Sequence, residues 1–219
     1  GPILEHEEKV IGVVTGSLGL RWYDITVTGM EMHAGPTPMA IRRDALFAAS
    51  FLVQAVINIA NAHQPQGRGT VGEIHAHPGS RNVIPGQVRF TADLRHEDEA
   101  TLTRMDQEWR RVCDDIAVAH GVQVDLKDVQ TFRPTPFDPD LVDKVRQGAA
   151  SRGLPAMNIV TGAGHDAVYM AAVAPTAMIF VPCKDGVSHN EIEDAQPEHL
   201  EAGCNVLLDA MVARANAAR

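Results

Sequence analysis

The stretch Gln87-Val88-Arg89-Phe90-Thr91-Ala92-Asp93-Leu94-Arg95 alternates with a period of two. Val88, Phe90, Ala92 and Leu94 fall on one side, and Gln87, Arg89, Thr91, Asp93 and Arg95 on the other, the pattern of a strand with one face in a core. Upstream, residues 19–30 read as another strand, because Tyr23, Ile25 and Val27 alternate with Asp24, Thr26 and Thr28. Residues 42–62 form an Ala-rich helix with Leu46, Val53 and Ile57 on one side and Leu52, Val56 and Ile59 on another. Such a helix is buried on more than one side. Residues 70–75 read as a short strand. Downstream, residues 98–120 place Leu102, Met105, Trp109, Val112, Ile116 and Ala119 at steps of three and four, then stop at Gly121. Val122, Val124 and Leu126 make a fourth strand. The order β-α-β-β-α-β over residues 19–130 is the ferredoxin-like pattern.

Residues 131–219 read differently. Asp138-Pro139 is an N-cap followed by proline at the first helical position, opening a helix to about Arg152 that Gly153 ends. Residues 176–181 are a short apolar run fit for a buried parallel strand. Residues 197–218 form a terminal helix expected to turn Leu200, Cys204, Leu207 and Met211 inward. This alternation belongs to an α/β layer.

With 19 basic and 28 acidic residues the chain carries −9 charges. That argues against a nucleic-acid backbone or an anionic membrane as main partner. Cys113, Cys183 and Cys204 lie far apart without Cys-x-x-Cys spacing. Sparse, odd-numbered cysteines suggest a reducing, cytoplasmic compartment and no disulfide framework, with Cys113 and Cys204 as inert core thiols. No signal-peptide pattern and no apolar run of spanning length are read, so neither secretion nor membrane insertion is expected.

Four segments could carry chemistry. Met32-His33-Ala34-Gly35-Pro36-Thr37-Pro38-Met39 presents one imidazole from a turn stiffened by glycine and proline. Arg81-Asn82-Val83-Ile84-Pro85-Gly86 precedes Asp93-Leu94-Arg95. Arg95, on the polar face of its strand, suits a carboxylate clamp, although a surface ion pair fits it too. In Gly162-Ala163-Gly164-His165-Asp166, small residues before a helix start let backbone N–H groups meet an anion. Ser188-His189-Asn190-Glu191 sits in a polar loop after an apolar strand, where an imidazole can ligate a metal. His75 and His77 could form a minor metal pair, and Glu5-His6-Glu7-Glu8 reads as a solvated charge run.

Together, in this order, these motifs resemble the amidase/hydantoinase–carbamoylase branch of the M20 metallopeptidase family. That branch contains N-carbamoyl-L-amino-acid hydrolases, β-ureidopropionases and allantoate amidohydrolases. Members are longer, and Gly1-Pro2-Ile3-Leu4-Glu5 looks like the tail of their His-Ile-Glu-Gln-Gly-Pro motif. The chain is therefore expected to be a C-terminal half. In that half, residues 1–18 are a remnant of the catalytic domain, 19–130 a ferredoxin-like dimerisation or lid domain, and 131–219 the rest of a di-metal α/β hydrolase domain. The resemblance implies that Asn82 and Arg95 bind the substrate carboxylate and that Gly164 contacts substrate through its backbone. It implies that His189 ligates one of two divalent metal ions (zinc or manganese, with cobalt or nickel as alternatives), and that His33 reaches into the other subunit of a homodimer to polarise the scissile carbonyl. The implied substrate is a small carbamoyl amino acid or ureide. The metal site is expected to be incomplete and this chain inactive, because the family's other ligands and its catalytic glutamate do not occur here. A non-catalytic dimerisation fragment is the reading from another class.

Overall fold

The computed structural model describes residues 1–217. The chain opens with one helical turn, α1 (Ile3–His6), and a strand, β1 (Ile11–Ser17). The next unit, residues 19–134, comprises β2 (Gly19–Thr28), β3 (Met32–His33), α2 (Ala45–Ala62), β4 (Arg68–Thr70), β5 (Ile74–His77), β6 (Val83–Ile84), β7 (Gln87–His96), α3 (Glu99–His120) and β8 (Gln123–Phe132). The chain then returns to the first unit, residues 1–18 and 135–219, with β9 (Thr135–Pro136), α4 (Pro139–Ser151), β10 (Ala156–Thr161), α5 (Asp166–Ala171), β11 (Met178–Phe180) and α6 (Pro197–Ala217).

In the 19–134 unit the sheet order β4-β7-β2-β8 is the ferredoxin-like arrangement. β2 and β7 pair antiparallel over ten residues, from Gly19 opposite His96 to Thr28 opposite Gln87. Val88, Phe90, Ala92 and Leu94 are buried with Tyr23, Ile25 and Val27 beneath α2 and α3. Trp109 of α3 is fully buried, its ring 6.5 Å from those of both Tyr23 and Phe90. α2 starts later than its hydrophobic pattern suggests. The Asp44 carboxylate accepts from the N–H groups of Leu46 and Phe47, both at 3.0 Å, and this cap sets the first turn at Ala45. Leu52 and Val56 are buried, whereas Leu46, Phe47, Phe51 and Ile57 are exposed. α2 carries no charge over its 18 residues, so by length and composition alone it would cross a membrane; its inner side packs on the sheet instead. The strand expected at 70–75 is two pieces, β4 and β5, both paired to β7 and interrupted around Gly72. α3 is capped by Asp98 and ends at Gly121 in the left-handed region, φ +60°. Ala119 is exposed, not inward, and β8 runs on to Phe132.

In the other unit β1 is central, parallel to β10 and antiparallel to β11. The apolar run around 176–181 is therefore an antiparallel, half-buried strand and not the parallel buried one expected. Parallel pairing belongs to β1 and β10, and it is β1 that is buried, through Ile11, Val13 and Val14. α6 also departs from expectation. Its small residues Ala202, Val206 and Ala210 are buried, while Leu200, Leu207 and Met211 are half-exposed or more. At Gly148 of α4 a Cβ would stand 3.5 Å from Val206 Cγ1, so the two helices approach through their small residues. The larger side chains line an open apolar groove of about 620 Å³ with Leu141, Val145 and Ile179. Ala218, expected to close the terminal helix, lies outside the described residues.

Candidate active site

His33 and Asn82 are brought together by a two-stranded ladder. β3 pairs with β6, placing His33 opposite Val83, and the Ala34 N–H donates to the Asn82 carbonyl at 2.8 Å. The Asn82 side chain is exposed, and its Oδ1 accepts from Ser80 Oγ at 2.8 Å. The His33 ring is exposed as well. The Gly35 N–H donates to His33 Nδ1 at 3.1 Å. A nitrogen that accepts from an amide has no proton of its own, so the neutral ring carries its hydrogen on Nε2. That leaves an N–H donor facing outward from the turn.

Two residues that the motifs did not flag build this turn. Thr37 is buried, and its Oγ1 donates to the His33 carbonyl at 2.6 Å. Arg42 donates from Nη2 to the carbonyls of Ala34 and Thr37, at 2.7 and 2.9 Å. A threonine between prolines gives no outward sign of burial, and Arg42 reads as helix sequence until Asp44 is seen to be the cap.

Arg95 sits elsewhere on the same unit. It lies on the outward face of β7, opposite Leu20 and Arg68, and pairs with Asp93. It is eight residue steps along the strand from Gln87, a span of about 27 Å at about 3.4 Å per residue. The β3–β6 ladder that carries His33 and Asn82 begins beyond Gln87. Within one chain, then, Arg95 and the His33–Asn82 pair stand at opposite ends of β7. Trp22, Asp24, Thr91 and Asp93 border a shallow depression of about 270 Å³ on the face that bears Arg95.

Gly164 and His189 belong to the other unit. Gly164 is exposed between β10 and α5, and a Cβ there would meet nothing within 4 Å. Packing inside the unit does not demand glycine at that point. The segment before it is held by Thr161, whose Oγ1 accepts from the Ala163 N–H at 3.2 Å. α5 is a six-residue helix, and its N-cap His165 makes no side-chain cap; the His165 ring tilts against Phe180 at 5.8 Å. His189 is exposed with φ +56°, an uncommon backbone state for a residue with a side chain. Its N–H donates to Glu193 Oε2 at 3.1 Å, closing a tight turn over residues 189–193.

Among the described residues no three His, Cys, Asp or Glu side chains converge as a metal-binding group. His75 is instead paired with Glu73 at 2.6 Å, and His77 lies 3.6 Å from Glu31. A catalytic zinc takes three protein ligands plus water, so the donors of this chain do not by themselves fit one. Cys113 is buried and its thiol is pushed up to about 12 by burial. Cys204, in contrast to the expected core thiol, is exposed.

Residues 3–213 match the family model described as Peptidase family M20/M25/M40. The chain belongs to the M20 family. Within it, the chain is 45% identical over 216 residues to an N-carbamoyl-L-amino-acid amidohydrolase of Rhizobium meliloti, covering 97% of this chain and 51% of that protein. It is 33% identical over 211 residues to an allantoate amidohydrolase of Bacillus subtilis, covering 96% and 51%. The crystal structure of a hydantoinase/carbamoylase family amidase from Burkholderia multivorans superposes with a TM-score of 0.94 at 56% identity, covering 98% of this chain and 52% of that one. The chain thus spans about half the length of the M20 relatives it matches. M20 enzymes generally use divalent metal ions.

Proposed function

We propose that this chain is the substrate-orienting and dimer-forming part of an amidohydrolase that cleaves the carbamoyl C–N bond of an N-carbamoyl-L-amino acid, releasing the amino acid, ammonia and carbon dioxide. The separation of Arg95 from His33 and Asn82 along β7 carries the reading. A molecule as small as a carbamoyl amino acid cannot touch both ends of that strand in one chain. It can do so in a homodimer, where one copy supplies Arg95 and its partner supplies His33 and Asn82. Arg95 then holds the carboxylate, and His33 Nε2–H faces the carbonyl oxygen where negative charge builds during attack. A donor so placed is worth on the order of 3 kcal/mol of the barrier. Gly164, open to close approach, offers its backbone to the substrate. Allantoate and N-carbamoyl-β-alanine present the same carboxylate and ureido groups and are the neighbouring substrates.

The metal chemistry of such an enzyme requires donors beyond those in this chain, with His189 contributing one. The chain alone should therefore neither hold zinc through dialysis nor release ammonia from carbamoyl amino acids, behaving as a non-catalytic dimerisation fragment. The deciding experiment uses the full-length protein. A His33→Ala variant, slowed about a hundredfold, and an inactive His189→Ala variant are mixed under conditions of subunit exchange. In a two-fold dimer with crossed sites, an equal mixture regains about a quarter of wild-type activity, because half the dimers contain one intact site. No recovery despite demonstrated exchange would return His33 to its own subunit.

A further inference from the structure

The turn presenting His33 is tied together by a single charged side chain. Arg42 Nη2 donates to the carbonyls of Ala34 and Thr37, and Arg42 Nε donates to the Thr37 carbonyl at 3.1 Å. Thr37 Oγ1 passes the constraint on to the His33 carbonyl, and the Gly35 N–H between them occupies His33 Nδ1. Among the described residues the partners of Arg42 are carbonyl oxygens, and it forms no ion pair. Spending a guanidinium on neutral acceptors gains less than pairing it with a carboxylate, so what the arrangement secures is geometry: a planar fork fixes two carbonyls at once.

We infer that Arg42 is a positioning residue for His33, holding residues 33–37 so that the imidazole keeps the Nε2–H tautomer and one direction. This rests on the reading of His33 as the donor to the scissile carbonyl, and Arg42 itself touches no substrate. With Arg42 cut back, the Ala34 and Thr37 carbonyls lose their common anchor. The Gly35 N–H then drifts from Nδ1, and the ring samples both tautomers and other rotamers. Lysine restores the charge and one or two of the bonds, but not the fork.

Two measurements separate this role from simple turn stability and from failure of the His33 assignment. In the 219-residue chain, long-range ¹H–¹⁵N spectra of His33 should show one Nε2–H tautomer, and the Arg42→Ala variant a mixture. An unchanged spectrum would overturn the inference whatever the enzyme does. In the full-length protein, Arg42→Ala should lower kcat about 10-fold to 100-fold with little change in KM, below the loss for deleting an oxyanion donor outright. Arg42→Lys should recover part of that loss. Placed in a His33→Ala background, Arg42→Ala should cost nothing further, because it acts through a ring no longer present. An equal loss in both backgrounds would make Arg42 a structural residue and defeat the inference. If His33→Ala is itself harmless, the His33 reading falls while the spectra still decide whether Arg42 sets the tautomer. Thr37→Val, which removes only the hydroxyl link, guards against an Arg42 variant that fails to fold; it should broaden the His33 tautomer signal, and a sharp single tautomer there would count against the clamp.

Discussion

Asp93 and Arg95, two residues apart on the outward face of β7, form a two-pronged pair. Arg95 Nε donates to both carboxylate oxygens at 3.0 Å, and Nη2 to Oδ2 at 2.5 Å. The contact fixes the plane of the guanidinium on a strand whose opposite face is fully buried. In the proposed role, an arginine already held in this orientation meets the substrate carboxylate with little further loss of side-chain freedom.

That geometry predicts how the pair responds to substitution in the full-length enzyme. The carboxylate is present in ground and transition states alike, so Arg95→Ala should raise KM tenfold or more, about the worth of a charge-assisted bond, with kcat little changed. Arg95→Lys should not recover it fully, since an ammonium lacks the fork. Asp93→Asn should raise KM less than Arg95→Ala. Steady-state kinetics decide, and a kcat effect dominating at Arg95 would reassign it.

The exposed side of α2 offers a second test. Phe47 and Phe51 pack edge to face at 4.9 Å, and Phe51 stacks on the half-buried His120 at 5.0 Å; both phenylalanines are exposed among the described residues. Phe51→Glu should shift the proposed dimer to monomer while leaving the thermal midpoint nearly unchanged. Val56→Glu, on the fully buried side, should unfold the domain, because an unpaired charge in a core costs several kcal/mol. Sedimentation and circular dichroism together read both outcomes; a Phe51→Glu protein that remains dimeric would move the contact elsewhere.

The cysteines should also separate. In the folded 219-residue chain Cys204 should alkylate readily at neutral pH, and Cys113 only after unfolding, since its thiol is buried and held far from the thiolate. Timed labelling with mass spectrometry checks the order.

The ferredoxin-like unit was legible because its strands have one wet and one dry face, as Val88, Phe90, Ala92 and Leu94 show. β1 was not, because a strand covered on both faces loses that alternation. The direction of β11 depends on its partner and leaves no trace in three residues. α6 was misread because size suggested burial for Leu207 and Met211, whereas the buried residues are the smaller Ala202, Val206 and Ala210, and Gly148 of α4 lies against Val206 and Asp209. For the site, residue types were readable and distances were not. That His33 and Asn82 lie together follows from the β3–β6 pairing, and the roles of Thr37 and Arg42 from hydrogen bonds between residues that spacing alone does not connect.

The length of β7 also limits how this protein can change over time. Side chains alternate along the strand, so inserting or deleting one residue between Gln87 and Arg95 would turn the guanidinium into the core and a leucine to the outside. A change of two would keep the faces but move the carboxylate clamp by nearly 7 Å relative to the imidazole at the other end. With Arg95 and His33 in their proposed roles, the strand behaves as a ruler, and altering its length would require the site to re-fit its substrate.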